Sequence, residues 1–163
     1  MEIQKIYEYA LAREHEGKRF FEANAERLSH AAAVSAFRRL AQEEQKHIEF
    51  IEYQLSVLDR DRSTAVENAE NLVPADFFDL RAENEGLEQS VTEAMLPDLP
   101  VLRMAYLIER DFAEFYEQAS NSTSGDAQHA LLRLAQWERV HERYFKEWHD
   151  KVFQDYAKMP WGG

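Results

Sequence analysis

Apolar residues recur at steps of three and four along most of this chain, the spacing of one face of an α-helix. From about Glu2 to Ser29 the stripe runs Ile6, Ala10, Glu14, Gly17 and Phe21. From about Ala31 to Leu58 it runs Phe37, Leu40, Glu44, His47, Ile51 and Leu55. Ser29 and His30 leave room only for a tight turn, so these two predicted helices form an antiparallel hairpin. The period dissolves after Asp59-Arg60-Asp61-Arg62-Ser63 and returns near Leu99, with Pro74, Pro97 and Pro100 as breakers. Within this 60–98 connector, Asn84 to Met95 reads as a short helix, and Phe77-Phe78 as a pair tucked onto the main body. A connection this long carries structure or function of its own. It has the length to cross the bundle so that helix three starts at the same end as helix one. Asp98 is the expected N-cap of that third helix, with Pro100 in its first turn, and the helix runs to about Ser120. NSTSGD at 121–126 is a turn, and a fourth helix spans about Asp126 to Tyr156. The expectation is an all-α domain over 1–157, a four-helix bundle made of two hairpins. A flexible tail follows at 158–163, with Trp161 free to dock.

The stripes are not purely apolar, and their polar members repeat. Residues 39–47 read RLAQEEQKH and residues 133–141 read RLAQWERVH, 94 positions apart. With 22 Glu and six His in the chain, chance alone supplies about one Glu-x-x-His. The context is what makes the two copies informative. Leu40, Glu44, His47 and Ile51 share one helix face, as do Leu134, Glu138, His141 and Phe145. The preceding helices match as well: Ala10, Glu14 and Phe21 correspond to Ala105, Glu109 and Tyr116 at an offset of 95. Each half of the chain therefore supplies a Glu followed by a Glu-x-x-His.

A buried carboxylate costs several kcal/mol unless it is paired or binds a cation. Four of them converging without metal would repel one another or hold protons. Two divalent ions would offset the four charges, while His47 and His141 each add a neutral nitrogen. One Glu from each of two helices plus Glu-x-x-His from each of the other two is the arrangement of di-iron carboxylate bundles. Oxygen-rich ligands with imidazole suit iron or manganese, and zinc is also compatible.

Composition narrows the alternatives. The 163 residues suffice for one substantial core. The absence of cysteine excludes disulfides, thiol catalysis and any cysteine-held zinc or iron–sulfur site. A formal net charge of −12 without a basic patch argues against nucleic acid and against anionic membrane surfaces. The charged N-terminus lacks the apolar region of a secretory signal, and no run of residues is apolar enough to span a bilayer. A cytoplasmic protein is the default expectation.

On these motifs the chain resembles a rubrerythrin-type member of the ferritin-like superfamily, across both helical pairs at roughly 1–58 and 99–157. The resemblance implies a ferritin-like four-helix bundle holding two iron ions. Glu14 and Glu109 would then be terminal or bridging carboxylates, Glu44 and Glu138 would bridge or cap, and His47 and His141 would each terminate one metal. There are two departures. Rubrerythrins carry a further glutamate about one turn after the helix-three ligand; in this chain that place, at about Phe112, holds no carboxylate. They also carry a cysteine-held rubredoxin domain, which a chain without cysteine lacks. The six-ligand set is closer to the symmetrical ferroxidase centre of bacterioferritin.

The function this implies is reaction with hydrogen peroxide or O₂, either peroxide scavenging or Fe(II) oxidation, fed by an external electron donor. Two other readings stand beside it. One is metal binding or storage without turnover. The other is a metal-free helical adaptor whose glutamates are protonated or paired with Arg38, Arg39 or Arg133. Tyr116 is the candidate catalytic residue, placed to hydrogen-bond a ligating glutamate or relay an electron, or to serve simply as a core tyrosine. His15 points about 100° away from Glu14, and Glu16 competes weakly with Glu14 for the ligand role, but Glu14 alone has a partner in the repeat. Glu43 and Glu49 flank His47 on faces expected to be solvated, and Trp137, Trp148, Phe112, Phe115 and Phe145 read as core. By analogy the protein is a homodimer or higher homo-oligomer.

Overall fold

The computed structural model of the protein describes residues 3–58 and 96–158. Among them are four α-helices and a single 3₁₀ turn, and no strand. The helices are α1 (Ile3–Ala25), α2 (Ala31–Leu58), α3 (Leu99–Asn121) and α4 (Gly125–Ala157). The helix expected over Asn84 to Met95, the Phe77-Phe78 pair and Trp161 lie outside the described residues. Helix α1 packs along α2, and α3 along α4, giving two hairpins that face each other as a bundle. No helix among the described residues is long and apolar enough to cross a membrane.

Local chemistry sets the helix ends. Helix α1 stops at Ala25, short of the expected Ser29, because the Asn24 carbonyl closes a turn. It accepts from Arg27 N at 2.9 Å and from Leu28 N at 3.2 Å. His30 then opens α2: its Nδ1 accepts from Ala32 N at 3.2 Å, and its carbonyl from Val34 N at 3.0 Å. Those are the two bonds a capping residue supplies. Between α3 and α4, Ser124 is extended and Gly125 stands at φ 63°, the left-handed region that favours glycine.

Asp98 does not act as expected. Its own backbone is already helical, at φ −88° and ψ −13°, and its side chain caps nothing in α3. The carboxylate reaches instead to the first hairpin, accepting from Ser29 N at 2.8 Å and His30 N at 3.1 Å. This contact also fixes direction. Helix α3 begins beside the turn where α1 ends and α2 begins, the opposite end from the expected one. Ile3, Leu58 and the Ser122–Ala127 turn line one shared pocket at the far end. Helices α2 and α3 therefore run parallel, and Leu58 and Leu96 stand at opposite ends of the bundle.

The buried apolar residues form two clusters. Phe21, Phe37, Leu40, Leu102, Phe145 and Trp148 belong to the one nearer the α1–α2 turn. Ile6, Tyr7, Ile51, Phe112, Leu131 and Trp137 belong to the other. Each cluster draws on all four helices, and offset or edge-on ring pairs such as Phe37–Phe145, at 5.3 Å, add about 0.5–1.5 kcal/mol apiece. Along each helix the polar members of the stripe fall between the clusters. On α2, for example, Leu40 and Ala41 precede Glu44 and His47, and Phe50 and Ile51 follow.

Candidate metal centre

Between the two apolar clusters the helices deliver six ionisable side chains to one place. Glu14 comes from α1, Glu44 and His47 from α2, Glu109 from α3, and Glu138 and His141 from α4. All six are buried, the four glutamates completely. The Glu-x-x-His spacing advances one turn, so both side chains of a pair look inward from the same stripe.

The ligand atoms form two groups, each within 4.8 Å: Glu14, Glu44, His47 and Glu138, and Glu44, Glu109, Glu138 and His141. Glu44 and Glu138 belong to both. The others divide cleanly, Glu14 and His47 at one position and Glu109 and His141 at the second. A pseudo-twofold relation is visible in the distances. His47 Nδ1 lies 3.4 Å from Glu14 Oε2 and 3.6 Å from Glu44 Oε2. His141 Nδ1 lies 3.3 Å from Glu109 Oε2 and 3.6 Å from Glu138 Oε2.

These atoms suit cations better than one another. Glu14 Oε2, both oxygens of Glu44 and of Glu138, Glu109 Oε1 and His47 Nδ1 are buried and make no hydrogen bond within the protein. Even the 2.9 Å approach of His47 Nδ1 to Glu138 Oε1 leaves both atoms without one. Each stranded polar atom costs about 1–3 kcal/mol, more when charged. Lone pairs crowded together and aimed at a common point are what a metal ion satisfies. The two groups can each hold a metal ion, and their oxygen and imidazole donors fit iron, manganese or zinc.

Crowding of these buried groups shifts their protonation. Burial, then the charges of Glu138 and Glu14, hold the Glu44 carboxyl well above its usual range. Burial, with Glu44 and Glu138 nearby, does the same to Glu109. Burial disfavours a charged His47, but the charges of Glu138 and Glu44 overcome it and raise the imidazole well above its ordinary value. Glu138 is buried too, yet the positive charge of His47 beside it pulls its carboxyl below the usual range.

Tyr116 is fully buried, and its hydroxyl donates to Glu14 Oε1. Burial and the charge of Glu14 push the phenol upward, so it stays a donor at neutral pH. Its counterpart in the repeat, Phe21, has no hydroxyl and packs among Phe20, Phe37 and Phe145. His15 is exposed, as expected, and Glu16, the weaker competitor for the ligand role, is exposed and paired with Arg13 at 2.8 Å. Phe112 fills the place where a further glutamate would stand, its ring edge 3.0 Å from where a Cβ on Gly17 would lie.

One neighbour departs from expectation, and another does more than expected. Glu43 is buried, not solvated, because Arg39 at 3.1 Å and Lys46 at 2.7 Å neutralise it. Those cations stand four residues before and three after it, a signal the sequence does contain. Trp137, expected as plain core, stacks on the His47 ring at 5.1 Å and 9°. Nothing in the helical period marks it, because the contact is made between helices. Arg38 and Arg39, offered as partners for the central glutamates, pair instead with Glu26 and Glu43. No protein-family model, curated protein or solved structure matches this chain.

Proposed function

We propose that this chain is a non-haem di-iron carboxylate protein of the rubrerythrin type, with a ferritin-like bundle, that reacts with hydrogen peroxide or O₂. The observation that carries this reading is the pair of four-residue groups sharing Glu44 and Glu138, each completed by one further Glu and one His. Two Fe(II) ions held there would supply the two electrons that reduce hydrogen peroxide to water, or O₂ to hydrogen peroxide, and a separate electron donor would restore them. Glu14 and His47 would hold one ion, Glu109 and His141 the other, and Glu44 and Glu138 would span both. The apolar clusters on either side keep water from the centre, which strengthens every electrostatic contact within it. Tyr116 holds the outer oxygen of Glu14, leaving Oε2 for the metal.

The test is metal content after anaerobic Fe(II) loading and desalting, followed by rapid mixing with peroxide. Two irons per chain are expected in the parent, with a clear loss in the Glu44→Ala, Glu138→Ala double variant and a fast near-ultraviolet absorbance change on mixing. Bound iron without that change would leave a metal-binding or storage protein. No bound iron would leave a helical adaptor.

A further inference from the structure

At the far end of the bundle, the starts of α1 and α4 and the end of α2 border a cavity of about 560 Å³. Small-molecule sites commonly fall between about 300 and 1,000 Å³. Ile3, Val57 and Leu58 supply apolar walls, and Tyr7, Gln54 and Asp126 bring polar groups. Tyr7 stands two turns before Glu14, about 10 Å along α1, so the cavity is separate from the candidate metal centre.

Tyr7 is the residue that packing alone does not explain. It is 1% exposed, and its hydroxyl is buried without a hydrogen bond in the protein. A stranded hydroxyl costs about 1–3 kcal/mol, and phenylalanine would fill the same space without that cost. Burial, then the charge of Asp126, pushes the phenol upward, so it stays a donor at neutral pH. The carboxylate is thus near enough to act on the phenol, yet no hydrogen bond joins the two. Asp126 itself is exposed, in the first turn of α4. The helix dipole favours a carboxylate there, but it does not account for a buried donor nearby. Among the described residues that line the cavity there is no arginine, lysine or histidine, and Asp126 supplies the one charge. Gln54, also buried, adds an amide that both donates and accepts.

These groups select for complementary chemistry. A cation answers the carboxylate, an oxygen accepts from the Tyr7 hydroxyl, and a hydrocarbon part covers Ile3, Val57 and Leu58. Asp126 repels an anion, and a purely apolar molecule leaves the phenol stranded. We infer that this end cavity is a binding site for a small amphipathic amino alcohol, whose ammonium pairs with Asp126 and whose hydroxyl accepts a hydrogen bond from Tyr7. The site needs no metal ion.

Phenylethanolamine is a suitable probe. Phenethylamine, which lacks the hydroxyl, and phenylethanol, which lacks the ammonium, are its controls. Titration of the full chain, followed by amide-detected nuclear magnetic resonance, is expected to give saturable shifts at Gly125 and Ala127. The amino alcohol should bind tightest of the three. Tyr7→Phe should weaken it by up to about tenfold, the worth of one hydrogen bond, and bring it level with phenethylamine. Asp126→Asn should bring it level with phenylethanol. Because the Tyr7 hydroxyl has no partner in the protein, Tyr7→Phe should melt no lower than the parent, so its weaker binding is not a loss of fold. The absence of a saturable shift with phenylethanolamine, equal binding of the three compounds, or undiminished binding by Tyr7→Phe would each overturn the inference. So would a lower melting temperature for Tyr7→Phe, since the hydroxyl would then be serving the fold.

Discussion

Glu44 and Glu138 occupy matching places in the repeat and are equally buried, yet their neighbours shift the two carboxyls in opposite directions. Glu44, among other carboxylates, is pushed up, and Glu138, beside His47, is pulled down. Glu44, Glu109 and His47 all hold their protons more tightly in the folded chain than in the unfolded one. Their contribution to stability is full below the ordinary values of 4.5 for the carboxyls and 6.5 for the imidazole. It is lost as pH rises through the raised folded values. Glu138 works the other way, and its contribution is present above 4.5 and lost only in acid. The metal-free protein should therefore melt at progressively lower temperature from mildly acidic to alkaline pH. Metal uptake at neutral pH should release protons, since ligands bind deprotonated. Melting scans of the chelated protein, and calorimetry in buffers of different ionisation enthalpy, check both. A melting temperature that rises with pH above neutrality would contradict this account.

At the scale of elements, Asp98 joins what the helices alone do not. Its buried carboxylate satisfies two backbone N–H groups in the turn of the other hairpin. Asp98→Ala strands them, and a loss of about 1–3 kcal/mol in urea unfolding is expected. Metal content should not change, because Glu109 stands roughly 16 Å farther along α3 at 1.5 Å per residue. Much at this scale was legible beforehand. The period and the Ser29-His30 turn gave α2 its bounds, and the repeat picked out the six side chains that the helices bring together. Register between helices was not legible. Which end of the bundle α3 starts from depends on a contact spanning 69 positions, and a local pattern carries no information about that. Asp98 misled for a similar reason: its residue type fits a cap, but its backbone had already turned helical. Trp137 was legible as apolar and no further, since a stack on a neighbouring helix leaves no trace in a single stripe.

In the whole molecule, neither hairpin alone completes either of the two groups that could hold a metal ion. The Glu14–His47 position needs Glu138 from the second hairpin, and the Glu109–His141 position needs Glu44 from the first. A bound ion would then be a cross-link between the two hairpins, added to the two apolar clusters that they already share. Loading should stabilise the fold by about 2.7 kcal/mol when free metal is 100-fold above its Kd, and raise the melting temperature in a concentration-dependent way. Differential scanning calorimetry at stepped metal concentrations reads this directly, and a melting temperature indifferent to metal would show that the hairpins hold together unaided. The placement of the polar residues between two apolar clusters has a consequence of its own. A continuous core transmits disorder from end to end, but a hydrophilic seam across its middle is a fault line along which one half can loosen while the other stays closed. The bundle is two short stacks of side chains threaded on the same four rods, and cooperativity between the stacks is a property that a bound cation would confer.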